Sequence, residues 1–226
     1  TQLSKLTIQN FRNCESARLD FAEGLNIIVG DNAAGKTALI ETLWLMATGR
    51  SFRSQKSKHL IKNGHDTTTL FCEARSSDNP INSQKIGIQK TLDNTVLRLN
   101  GETIKSHGPI ARQLPIQLLT PESHKLLEEG PKARRQFMDW GCFHQSDNFM
   151  QSWRNYQKGL KQRNHALKKR LPKTQVQLWD NQLVENALII DEIRQAYLAE
   201  LTPYLVTFCQ ALMPEVDNEV VCQYRA

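Results

Sequence analysis

The sequence has no apolar run that approaches the length of a membrane-spanning helix. It also has no charged-then-apolar pattern at its N-terminus, so the expected location is the cytoplasm. Its five cysteines, Cys14, Cys72, Cys142, Cys209 and Cys222, are odd in number, scattered and without a C-x-x-C pair. That argues against a disulfide framework or a zinc site and for reduced, mostly buried thiols. Acidic residues are missing from two stretches, 42–65 and 148–179. No Asn-Lys-x-Asp string is present to read guanine, and no L-S-x-G string occurs. One apolar run ends in Asp-Glu, at Leu188-Ile-Ile-Asp191-Glu192. From Leu178 to Met213 the sole turn signal is Pro203, so this run reads as helix and its two acids as ordinary solvated surface groups.

What is present is more specific. Gly30-Asp31-Asn32-Ala33-Ala34-Gly35-Lys36-Thr37 matches the phosphate-loop pattern G-x-x-x-x-G-K-[ST] at every fixed position. Leu25–Val29 before it is apolar and β-branched, which predicts a buried strand, and Ala38–Met46 after it has apolar residues at helical spacing. A strand, a glycine loop and a helix N-terminus converge N–H groups and the positive end of the helix dipole on an anion. In this pattern Lys36 reaches the β- and γ-phosphates of a nucleotide and the Thr37 hydroxyl coordinates Mg²⁺. The predicted ligands are therefore ATP and Mg²⁺.

The 226 residues allow one large domain or two lobes, and the two halves differ in character. Residues 1–120 read as a β-rich first lobe. Lys5–Gln9 is predicted as an edge strand and Ala17–Phe21 as a half-buried one. Thr67–Arg75, Lys85–Lys90 and Thr95–Leu99 read as antiparallel strands, with Asn100-Gly101 as a two-residue hairpin turn into Glu102–Lys105. Ser76–Ser83 reads as a loop and Ile116–Leu119 as a last strand. Residues 121–226 read as a helical second lobe, punctuated by Gly130-Pro131, Leu171-Pro172 and Thr202-Pro203.

The net charge of +6 is unevenly spread. Around Tyr156 an amphipathic helix carries Trp153, Tyr156, Leu160, Leu167 and Leu171 on one face. Arg154, Lys158, Lys161, His165 and Lys168 fall on another, with Lys169 following. Cations about a turn apart, with no carboxylates interleaved, suit a nucleic-acid backbone; a solvated helix face is the plainer reading. Arg154, Lys158, Lys161, Lys168 and Lys169 are the candidate DNA contacts.

Further strings carry a resemblance. Leu6–Asn13 followed by Gly24–Thr37 is similar to the start of SMC-like heads of the ABC class. Gly49–Ser54, Leu119–Glu122, Gly130–Asp139, Trp140–His144 and Leu160–Asn164 resemble the bacterial RecF family, in that family's order. The resemblance implies an α/β P-loop NTPase of the ABC/SMC-like head type, with the C-terminal part of the head missing from this chain. It implies an ATP-dependent DNA-binding ATPase of recombinational repair at gaps and stalled forks. RecO and RecR are its implied partners, with a link to the SOS response and homodimerisation on ATP. It places Arg12 and Asn13 in the N-terminal strand motif whose basic residue approaches the phosphates, and Gln117–Glu122 in the region of the γ-phosphate sensor. The signature motif and second acid of such heads are absent here, so no catalytic residue is assigned and hydrolysis by this chain alone is not expected. A P-loop kinase for a small metabolite is the alternative, one that the long basic helix fits poorly. A pure DNA-binding module, its loop holding DNA phosphate, is a third reading.

Overall fold

The computed structural model describes the chain apart from residues 55, 76–82, 129, 216–220 and 225–226. It divides into two units, Thr1–Leu119 and Thr120–Ala226. The first holds strands β1 (Gln2–Phe11), β2 (Cys14–Asp20), β3 (Thr68–Arg75), β4 (Ser83–Lys90), β5 (Thr95–Leu99) and β6 (Glu102–Ile104), with helices α1 (Lys36–Thr48) and α2 (Gly108–Gln113). The strands form an antiparallel sheet in the order β2-β1-β3-β4-β5-β6.

Period-2 alternation sets which face is buried. Leu6 and Ile8 of β1, Leu70, Cys72 and Ala74 of β3, and Ile86 and Ile88 of β4 point into one core, which Ala38, Leu45 and Met46 of α1 complete. Each fully buried Leu or Ile in such a layer contributes about 1.5–3 kcal/mol. Burial pushes the Cys72 thiol up to about 12. The five cysteines are free; Cys72 and Cys142 are buried, while Cys14, Cys209 and Cys222 are half-buried, so fewer are buried than expected. The Asn100-Gly101 turn forms as predicted, with both residues at positive φ (54° and 91°) where an Asn-Gly pair is favoured.

Three predicted strands differ. Lys5–Gln9 lies inside β1, which is no edge: β2 pairs on one side and β3 on the other. Ile116–Leu119 is not a strand, and Leu119 is 88% exposed. Leu25–Val29 forms no strand and joins no ladder, and Leu25, Ile27 and Val29 are 83%, 75% and 84% exposed. β propensity favours a strand there, but pairing and burial need a layer to pack on, and the described residues place none there. The predicted loop Ser76–Ser83 lies almost wholly outside the described residues; Ser83 begins β4.

The second unit is helical: α3 (Lys125–Glu128), α4 (Gly130–Gln145), α5 (Phe149–Lys168), α6 (Lys173–Gln177) and α7 (Asp180–Leu212). Leu188–Glu192 is helical, within α7. Glu192 is exposed, but Asp191 is half-buried and accepts a hydrogen bond from Gln195 Nε2 at 2.6 Å, so it is not the plain solvated acid expected. Close packing sets the helix crossings. A Cβ on Gly141 of α4 would lie 2.0 Å from the Tyr197 ring of α7, and one on Gly159 of α5 would lie 3.3 Å from Leu183. Arg194 of α7 donates from Nε (2.9 Å) and Nη2 (2.6 Å) to Asp139 of α4. No helix among the described residues is long and apolar enough to cross a membrane.

Candidate functional site

β1 and β2 are joined by a two-residue turn, Arg12-Asn13, next to the Phe11–Cys14 pair. Arg12 sits at φ 56° and donates its N–H to the Leu60 carbonyl at 2.8 Å. Lys62 N–H donates to Asn10 O at 2.9 Å, and Phe11 bridges Ile61. The segment around Leu60–Lys62 is thus zipped onto the hairpin tip.

The phosphate loop lies beside that tip. Gly35 caps α1 in the left-handed region, with no side-chain cap and no acid in the first turn. The helix N-terminus keeps its positive end unneutralised, as an anion site requires. Asn13 Nδ2 donates to the Ala33 carbonyl at 3.0 Å, and Ala33 itself is held at φ 65°. The Lys36 ammonium donates to Gly30 O (2.6 Å) and Asp31 O (2.7 Å), folded along its own loop. The Thr37 hydroxyl carries no hydrogen bond among the described residues, and the residue is exposed.

These parts enclose a cavity of about 870 Å³, lined by Arg12, Asn13, Asn32–Ala38, Arg53, Lys58, His59, Ile61, Lys62 and Asn63. That size suits a nucleotide-sized ligand. Of the residues assigned to this site from sequence, Gly30 and Asp31 contribute as loop carbonyls bonded by Lys36, and the others line the cavity directly. Arg53, Lys58, His59 and Lys62 are not assigned to the site by the sequence pattern; the acid-free stretch 42–65 is the signal that contains them. Lys62 donates to Glu15 Oε2 at 2.6 Å, which holds the Glu15 carboxyl below its ordinary range. His59 Nδ1 lies 2.9 Å from Ser54 Oγ.

Glu41, on α1, was also missed. Its side chain is fully buried, yet both oxygens are engaged. Arg12 donates from Nε to Oε2 at 3.0 Å and from Nη2 to Oε1; Ser51 Oγ donates to Oε1. Arg53 Nη1 stands 3.8 Å from Oε2.

In the second unit, α5 forms around Tyr156 as predicted, but its buried face differs in part. Trp153, Tyr156 and Leu160 of the predicted face are half-buried, but Leu167 is exposed and Leu171 lies exposed beyond the helix end; the fully buried residues are Phe149, Ser152, Gly159 and Ala166. Gly159 meets Leu183 of α7, so part of the buried face is made by a residue without a side chain. Arg154, Lys158, Lys161, Lys168 and Lys169 are all exposed and none is ion-paired among the described residues. Lys158, Lys161, His165 and Lys168 line one cavity of about 1000 Å³ with Trp179; Arg154 and Lys169 do not. Arg163 Nε donates to Asp180 Oδ1 at 2.7 Å, fixing the segment that carries Trp179.

Residues 2–200 match the AAA ATPase domain family. The chain belongs to that family. It is 56% identical over 225 residues to the DNA replication and repair protein RecF of Hydrogenovibrio crunogenus, covering all of this chain and 61% of that protein. RecF of Shewanella loihica is 42% identical over 219 residues, with 96% and 60% covered. The chain therefore spans about 60% of the length of these curated relatives. A solved structure of the recombination mediator protein RecF with ATP, of the RecFOR pathway, superposes with a TM-score of 0.79 at 31% identity, covering 94% of this chain and 58% of that one. An Smc head domain from Pyrococcus furiosus, 16% identical with a TM-score of 0.53, covers 94% of this chain and 60% of that one and shares the fold. The fold is that of the N-terminal part of an ABC/SMC-like P-loop head, as expected from sequence.

Proposed function

We propose that the first unit binds ATP with Mg²⁺ at the phosphate loop, and that the chain is the nucleotide-binding part of a RecF-type repair ATPase. The observation that supports this most is the loop itself: Gly35, Lys36 and Thr37 open an uncapped helix onto a cavity of nucleotide size. Lys36 exchanges the carbonyls of Gly30 and Asp31 for phosphate oxygens, and Thr37 supplies the hydroxyl for Mg²⁺. Asp31, Asn32, Ala33 and Ala34 present the backbone of the cradle, with Arg12 and Asn13 at its wall. The structural likeness to RecF with ATP supports the same ligand. Turnover needs a second metal-holding acid and a base that this sequence does not supply, so hydrolysis belongs to the longer protein of the relatives' length.

The DNA contact lies along α5. Lys158, Lys161 and Lys168 carry phosphates at its cleft, Trp179 offers a stacking face, and Arg154 and Lys169 extend the basic track. In the longer protein this reading includes action at DNA gaps and stalled forks with RecO and RecR, a link to the SOS response, an ATP-dependent homodimer and a cytoplasmic location.

The test is equilibrium binding of gapped DNA across a salt series, with and without ATP–Mg²⁺. Replacing Lys158, Lys161 and Lys168 together with Ala weakens binding and lowers the salt slope by roughly 2–3. An unchanged slope removes α5 from the interface. If ATP and DNA compete for the loop, the pure DNA-binding module is the better reading; if ATP turnover follows addition of a small acceptor, the kinase is.

A further inference from the structure

Glu41 is a feature of the first unit that the phosphate-loop pattern leaves unexplained. It is a carboxylate with no exposed surface, a little over one turn along α1 from Lys36. A buried charge persists where it is paired and hydrogen-bonded. Here the pairing gathers three parts of the site. Arg12 comes from the hairpin tip, Glu41 from the helix that starts at the loop, and Ser51 with Arg53 from the segment after that helix. Ser51 Oγ in turn accepts the N–H groups of Arg53 and Ser54, both at 2.9 Å.

The pairing also orients Arg12. Its Nε and Nη2 are taken by Glu41, and Nη1 is without a partner among the described residues. Arg12 and Arg53 both line the loop cavity. We propose that Glu41 is a positioning residue for the nucleotide site: it holds Arg12 and Arg53 so that their remaining N–H groups face the phosphates opposite Lys36. This rests on the nucleotide reading above.

Charge alone predicts the opposite effect. Glu41 is an anion near an anion site, so removing its charge raises phosphate affinity by simple Coulomb attraction. If positioning dominates, removing that charge lowers affinity, because an arginine released from a two-point grip loses its direction. The sign of the change therefore decides between them.

The experiment is calorimetric titration of this chain with ATP–Mg²⁺, on wild type, Arg12→Ala, Glu41→Gln and the double variant. Glu41→Gln keeps the shape and removes the charge. The expected result is about a tenfold weaker Kd for each single variant, a difference worth about 1.4 kcal/mol. The losses in the double variant are expected to be clearly less than additive, because the Arg12 part is shared by both changes and only the release of Arg53 adds to it. Binding by Glu41→Gln as tight as wild type or tighter, or additive losses in the double variant, overturns the proposal. Should Glu41→Gln not fold, Ser51→Ala is titrated instead. It removes one of the carboxylate's donors and the 3.5 Å contact from Arg12 Nη2 to Ser51 Oγ, and leaves the Arg12–Glu41 bonds, with an expected loss of about threefold; an unchanged Kd overturns the proposal equally. Lys36→Ala is the control for the underlying reading. If it binds as wild type does, the nucleotide site itself is misplaced; if it alone loses binding, only the role of Glu41 fails.

Discussion

Asn13→Ala probes the phosphate loop without touching the groups that meet a phosphate. Asn13 Nδ2 donates to the carbonyl of Ala33, an alanine at φ 65°. The left-handed conformation costs a residue with a Cβ about 1–2 kcal/mol. A largely exposed amide–carbonyl bond returns about 0.5–1.5 kcal/mol. The two nearly cancel, so the bound shape of the loop is held by a narrow margin. Loss of the bond lowers the population of that shape and raises the apparent Kd for ATP–Mg²⁺ by about three- to tenfold. Ala33→Gly added to Asn13→Ala removes the strain. Set against about 0.5–1 kcal/mol of extra chain entropy for glycine, this leaves roughly 0.5–1 kcal/mol in favour of the loop. The double variant then recovers about two- to fivefold of the lost affinity. Calorimetry on the three proteins at one salt concentration reads both effects. If Asn13→Ala binds like wild type, or glycine at position 33 worsens the loss, the reasoning about the loop is wrong.

Gly141→Ala places a Cβ 2.0 Å from Tyr197 Cζ and should destabilise the helical unit. Overpacking of about 3 kcal/mol less about 1 kcal/mol of helix propensity leaves about 2 kcal/mol, which in a unit of this size lowers the melting temperature by about 8–16 °C. Gly159→Ala meets only the flexible end of Leu183 and should change it little, so equal effects would contradict the packing. His107 is half-buried, its Nε2 is a buried atom without a partner, and burial lowers its pKa below the ordinary value despite hydrogen bonds to Ala47 and Met46. Its folded pKa lies below its unfolded one, so the unfolded chain takes up the proton first. Its contribution to stability is present above about pH 6.5 and is lost as pH falls through the folded pKa. Thermal melts from pH 7.5 to 5.5 should fall more steeply for wild type than for His107→Gln; parallel curves would refute this.

The loop was legible because its pattern fixes residue types at fixed spacing, and a uniquely required geometry leaves such a trace. Asn100-Gly101 was legible for the same reason. Leu25–Val29 was not: its composition says strand, but whether a strand is covered depends on a layer that local sequence does not name. The face of α5 was legible in part: Trp153, Tyr156 and Leu160 are half-buried, but periodicity weights large apolar residues, whereas the helix fully buries Ser152, Gly159 and Ala166. Glu41 was invisible because a glutamate within a helix reads as solvent-facing. Only the fold brings Arg12, Ser51 and Arg53 onto it from positions 29, 10 and 12 residues away. The basic stretch 42–65 announced charge without saying that Arg53, Lys58, His59 and Lys62 would wall the loop.

The central claim is that Gly30–Thr37 holds a nucleotide, and Lys36→Ala tests it most directly. Calorimetric titration with ATP–Mg²⁺ should show saturable binding at one site per wild-type chain. The lost charge-assisted bonds to phosphate are worth about 1.5–3 kcal/mol, so the variant should bind about 10–100-fold more weakly. Its melting temperature in the absence of nucleotide should be nearly unchanged, because Lys36 bonds only to carbonyls of its own loop. Equal affinity in the two proteins would contradict the assignment of the site.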